Sequence, residues 1–178
     1  PLIHDLGENV LDKEKKFYSF LGIEQLRALL LKDSSSVFLH DIGKGSTTIR
    51  GSKTKVKTLT KKVQSKPEKA QILFKLINFY NSKNILEIGT SLGLTTAYLS
   101  NANKNSSVTT LEGDPSIYLM AKKNFQKLGL KNVTLHHGDF DNLLPKIFTQ
   151  KFDFIFFDGN HSKKATLKYF NWALENFM

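Results

Sequence analysis

The chain has 178 residues, 40% of them hydrophobic, which is enough for one well-cored domain plus an extension. It has no cysteine, which excludes a disulfide framework and cysteine-ligated metals and suits the reducing cytoplasm. No apolar run approaches the ~18 residues of a membrane span, the opening PLIHDLGENV lacks signal-peptide character, and a net charge of +10 favours acidic partners or simply a solvated basic surface.

In chain order, residues 12 to 32 carry Phe17, Phe20, Leu21, Leu26, Leu29 and Leu30 at roughly helical spacing. One or two amphipathic helices are expected there, interrupted near Gly22, within an N-terminal helical extension over 1–40. Residues 41–66 turn basic and rich in Gly, Ser and Thr without an aromatic, which reads as a connector or lid. The GKGST inside it lacks the spacing of a phosphate-binding loop.

From Pro67 to Met178 the pattern is regular. EKAQILFKLINFYN places Ile72, Leu73, Leu76, Ile77 and Tyr80 on one helical face. NILEIG reads as a buried strand, 92–100 as a helix and SSVTTLEG as a second strand. Asp114 then caps a helix that has Pro115 at its first position and Gly129 just past its end. NVTLHHGD and KFDFIFFDG are the third and fourth strands, and a last helix over 163–177 is expected to turn Leu167, Phe170 and Leu174 inward. Strands alternating with helices predict an α/β fold with a doubly wound, mostly parallel sheet.

In such sheets ligands bind beyond the carboxyl ends of the strands. All four strand ends here carry an acid and a glycine: Glu87 to Gly93, Glu112 to Asp114, Gly138 to Asp141, and Asp158 to His161. The first loop, Gly89-Thr90-Ser91-Leu92-Gly93, has Ser91 where a dinucleotide fingerprint needs its second glycine. A pyrophosphate would therefore meet a side chain. A ligand with a carboxylate and an adenosine fits better, held by Ser91 and the helix amides. Glu112, at the end of the next strand, can accept from both ribose hydroxyls or can be a plain turn acid.

LEIGTSLGLTTAYLS, TLEGDP, HHGDF and FDFIFFDGNH resemble the successive cofactor motifs of class I S-adenosylmethionine-dependent methyltransferases. The flavour is similar to the small-molecule O-methyltransferases of catechol and caffeoyl-CoA type, over about residues 67–177. The resemblance implies a Rossmann-like fold with strands one to four of seven present, the rest expected beyond Met178. It implies S-adenosylmethionine as cofactor and S-adenosylhomocysteine as product. Glu87 would organise the loop and reach the cofactor's amino group. Gly89, Thr90, Ser91 and Gly93 would line its methionine end, Glu112 with Gly113 its ribose, and Asp139 with Phe140 its adenine, Asp139 being equally able to cap a helix. Neither His136 nor His137 is expected to be catalytic.

In metal-dependent members of that family the fourth strand ends in D-x-x-K, with the acid on a divalent cation and the lysine as base. Here it ends Asp158-Gly159-Asn160-His161, so Asp158 and His161 are the catalytic candidates, His161 as base or as a structural hydrogen-bonding residue. One carboxylate makes no cation site, so no metal is expected in this chain, and a divalent cation only in one that continues further. DGNH lacks the paired prolines common in methylases of amines, which favours a hydroxyl on a small-molecule acceptor. The fourth strand is expected to be an exposed apolar edge open to homo-oligomerisation. Two other readings remain open at this stage. One is a nucleic-acid binder using Lys53, Lys55, Lys57, Lys61 and Lys62, disfavoured by the lack of interleaved aromatics. The other is a nicotinamide-dependent oxidoreductase, disfavoured by Ser91.

Overall fold

The computed structural model describes residues 2–12, 14–40, 52–63, 66–160 and 162–177. A short helix α1 (Leu2–Leu6) runs into a wider helical turn, Gly7–Leu11, and then α2 (Ser19–Lys32) begins. Helix α2 runs through Gly22 unbroken, against the expected interruption. A Cβ there would meet nothing within 4 Å, and a mid-helix glycine costs only about 1 kcal/mol. Phe20, Leu26 and Leu30 are buried, whereas Leu21 and Leu29 face water.

Strand β1 (Ser36–Phe38) pairs antiparallel with β2 (Lys53–Lys55), and α3 (Val56–Val63) follows at once. The described part of the basic segment is thus a strand and a helix where the sequence reads as loop. Val56 and Leu59 anchor α3 in the core, and short-range composition hides an anchor made of two residues.

Helix α4 (Pro67–Tyr80) starts on a proline and stops at Asn81, which adopts φ 53° and returns its N–H to Ile77 and Asn78 carbonyls. Its buried face is Ala70, Phe74 and Ile77. Ile72 and Tyr80 are exposed, so the expected face was rotated by about one position. Four strands then form a parallel sheet in the order β5-β4-β3-β6: β3 (Asn84–Ile88), β4 (Ser107–Glu112), β5 (Val133–His137) and β6 (Phe154–Phe157). The chain grows outward from β3 to β5 and then crosses to the other side of β3. The strand order reverses at the carboxyl ends of β3 and β6, where such sheets bind ligands. Helix α5 (Leu94–Ala102) starts two residues later than expected, after Gly93 at φ 80°. Helix α6 (Pro115–Lys127) is capped by Asp114 and ends ahead of Gly129 at φ 64°, as the sequence suggests.

Two cores lie on the two faces of the sheet. One packs Ile85 and Val108 against α2, α4 and α5; the other packs Leu86, Ile88 and Leu111 against α7 (Phe140–Ile147) and α8 (Lys163–Asn176). Helix α8 corrects the sequence reading: Tyr169 and Ala173 face inward, while Leu167, Phe170 and Leu174 are exposed. Strand β6 is the sheet edge opposite β5, half-buried along its length. Among the described residues no helix is long and apolar enough to cross a membrane.

The upstream helix is no loose appendage. The Phe20 ring lies 5.4 Å from Phe17, 4.9 Å from Phe74 and 5.0 Å from Tyr98, and the Tyr98 hydroxyl donates to Glu24 Oε1 at 2.8 Å. Phe20→Ala should cost about 3–5 kcal/mol. Urea denaturation followed by circular dichroism checks this, and a single unfolding transition is expected because α2 shares its core with the sheet.

Candidate active site

Strand alternation decides what each strand end offers. Ile85 and Glu87 face the α5 side, Leu86 and Ile88 the other. Glu87 is therefore driven inside and is 0% exposed. Its Oε2 accepts from Thr96 Oγ1 of α5 at 2.5 Å and from Thr110 Oγ1 of β4 at 2.6 Å, while its Oε1 has no partner. Thr110 stands opposite Glu87 in the strand register and also lies 2.6 Å from Thr90 Oγ1. Burial without a counter-ion pushes the Glu87 carboxyl up to about 8, and the charges of Asp158 and Glu112 add to the rise.

The glycine loop sits directly on the ends of its neighbours. Gly89 and Thr90 both donate backbone N–H to Leu111 O, at 3.1 and 2.9 Å. Ser91 takes φ 50°, unusual for a residue with a side chain, and its N–H donates to Glu112 Oε2 at 2.8 Å. Asn124 of α6, buried, donates to Leu92 O at 2.9 Å. Glu112 receives the Asp114 N–H on its other oxygen at 2.9 Å, and burial raises its carboxyl to about 7. Each of its oxygens keeps a second lone pair for a ligand hydroxyl.

Across the switch point, Asp158 N–H donates to Ile88 O at 2.9 Å. The chain there touches the glycine loop: a Cβ on Gly89 would stand 2.8 Å from Asp158 C and O and from Gly159 N. A Cβ on Gly159 would stand 2.7 Å from the Phe140 ring. Glu87, Gly89, Thr90, Ser91, Gly93, Glu112 and Asp158 therefore share one end of the sheet. Gly113 and Phe140 border it, Gly113 O lying 3.1 Å from His137 Nε2. Asp139 caps α7, accepting from Asn142 N–H at 3.3 Å. His161 lies outside the described residues. Among the described residues no three His, Asp or Glu side chains gather as a metal-holding group.

Sequence reasoning did not pick out Thr96, Thr110 or Asn124. Two adjacent threonines inside a buried strand, VTTLE, were the available signal for Thr110, since a buried hydroxyl needs a partner. The chemistry of this end is acidic: Glu87, Glu112 and Asp158 gather there, and a cation brought beside Glu87 would favour its ionised form, while the Gly89, Thr90 and Ser91 N–H groups are committed to Leu111 and Glu112.

Among known proteins, the family described as "Methyltransferase domain" matches residues 86–177. The catechol O-methyltransferase of Niastella koreensis is 35% identical over 113 residues, 61% of this chain and 50% of that protein. The protein-L-isoaspartate O-methyltransferase of Methanococcoides burtonii is 32% identical over 46% of this chain and 41% of its own length. The match thus spans half or less of these curated relatives. Among solved structures, an O-methyltransferase from Bacillus cereus, determined with S-adenosylhomocysteine, shares the fold at TM-score 0.66 and 22% identity, over 99% of this chain and 68% of that one. The O-methyltransferase TomG of Streptomyces achromogenes, determined with S-adenosylmethionine, gives TM-score 0.61 at 27% identity, over 65% of this chain and 53% of that one. None of these supports the nucleic-acid or nicotinamide readings. With the family match covering half of the chain, the chain belongs to the methyltransferase-domain family.

Proposed function

We propose that this domain binds S-adenosylmethionine and takes part in methyl transfer to a hydroxyl oxygen of a small molecule, in the cytoplasm. The observation that carries the reading is the buried Glu87 with an unpartnered oxygen, flanked by Glu112 and Asp158 beneath a glycine loop. A ligand bearing a sulfonium and an ammonium group suits three acids, because a cation beside Glu87 favours its ionised form, and a pyrophosphate would be repelled. Glu87 would receive the amino group, Gly89, Thr90, Ser91 and Gly93 the methionine end, Glu112 and Gly113 the ribose, and Asp139 and Phe140 the adenine. When bound, the cofactor supplies an electrophilic methyl carbon.

The protein's share of the chemistry is alignment and proton management. The loop fixed by Ser91 and Glu112 orients the donor. Asp158, at the acceptor side of the switch point, orients the hydroxyl, and His161 takes its proton, a role drawn from its place in DGNH. Isothermal titration tests the reading. S-adenosylhomocysteine is expected to bind and NADH not to bind; a chain that ignores S-adenosylhomocysteine would remove the proposal.

A further inference from the structure

The family match begins at residue 86, yet the donor end of the sheet is held by a segment far upstream of it. Strand β1 delivers His40 to Asp114, the residue that caps α6. The His40 backbone N–H donates to Asp114 Oδ2 at 2.6 Å, and the imidazole Nδ1 stands 3.7 Å from Oδ1. Asp114 Oδ1 meanwhile accepts from Ser116 and Ile117 N–H, at 2.8 and 3.1 Å. The Asp114 N–H reaches Glu112 Oε1, whose other oxygen takes the Ser91 N–H. An unbroken run of bonds thus joins His40, Asp114, Glu112 and Ser91.

This upstream segment is itself well held. Leu39 is buried and donates its N–H to Ser52 O at 3.1 Å, and Val56 donates to Ser35 O at 2.9 Å. The His40 ring packs edge-on against Phe38 at 5.2 Å. The Asp114 side chain is only 13% exposed, whereas the His40 side chain beside it is 45% exposed. Asp114 is also a negative charge two residues from Glu112, and it pushes that carboxyl upward. A donor placed on Asp114 offsets part of that repulsion.

We propose that residues 36–40 belong to the donor site: the His40 amide fixes Asp114, and through it Glu112, in the arrangement that receives the nucleoside sugar. His40 is then a positioning residue, and the half-exposed imidazole is the adjoining rim. The inference rests on the donor-site reading above.

Two substitutions in the whole chain delete the same bond from opposite ends. Asp114→Asn keeps the α6 cap, because asparagine caps as well as aspartate, but its amide nitrogen faces the His40 N–H, donor against donor. His40→Pro removes that N–H and leaves Asp114 intact. Each should weaken S-adenosylhomocysteine binding about tenfold by calorimetry, and the double variant should be no weaker than the worse single one. If His40→Pro fails to fold, Asp114→Asn carries the test alone. Variants that bind within about twofold of the parent overturn the proposal. So does a loss seen with Asp114→Asn when a folded His40→Pro binds normally, because Asp114 would then act without His40. A parent chain that binds no S-adenosylhomocysteine overturns the donor-site reading as well, an outcome distinct from either.

Discussion

Gly89→Ala is expected to lose both stability and cofactor binding. The added methyl would stand 2.8 Å from Asp158 C, Asp158 O and Gly159 N, all of them backbone atoms that no rotamer change can move aside. The residue also sits at φ 108°, outside the comfortable range of any side-chain-bearing residue. Overpacking and backbone strain together cost about 2–6 kcal/mol, against a total stability of about 5–15 kcal/mol for a domain. Urea denaturation with calorimetric titration checks both losses. Gly22→Ala is the matched control: its methyl enters open space in the middle of a helix, and a gain of up to about 1 kcal/mol is expected. If Gly89→Ala behaved like the control, the close approach of the two strand-end loops would be disproved.

The unliganded protein should lose stability as pH rises from about 5 to 8. Glu87, raised to about 8, and Glu112, raised to about 7, keep their protons in the folded state at pH values where the unfolded chain has released them. Below the ordinary carboxylate range both states are protonated and the stability contribution is fully present. Above it the folded state binds more protons than the unfolded one, so each pH unit costs about 1.4 kcal/mol per group until the folded value is passed. Glu87→Gln removes its share and should flatten the profile. The difference between the two proteins, read as urea midpoints at several pH values, cancels the background titration of the many surface lysines. Glu87→Gln should also weaken S-adenosylhomocysteine binding, since the proposed function places the ligand amine at the unpartnered Glu87 oxygen. An identical slope in both proteins would mean that Glu87 is already ionised in the folded state, and the expected loss of stability with rising pH would not come from it.

Strands β3 and β6 were legible as short apolar runs, NILEI and FIFF, set between turn residues. Helix α6 was legible because Asp114, Pro115 and Gly129 act locally. Helix α8 was misread because it carries two apolar stripes. Close packing on the sheet selects Ala173 beside Tyr169, whereas Leu167, Phe170 and Leu174 are exposed. The acids of the site could be read, since Glu87, Glu112 and Asp158 close strands. Their partners could not: Thr96 and Thr110 become hydrogen-bond donors only through the strand register and the helix above it. His40 and Asp114 meet across 74 positions with no local signal.

The shared aromatic packing of Phe17, Phe20, Phe74 and Tyr98 limits how this site can travel between proteins. A gene fusion that transplanted only the matched family segment, 86–177, would strip α2 and α4 from the helix that follows the glycine loop and leave Tyr98 without Glu24. The smallest transferable unit therefore starts upstream of Phe17, and recombination that preserves the site must cut there.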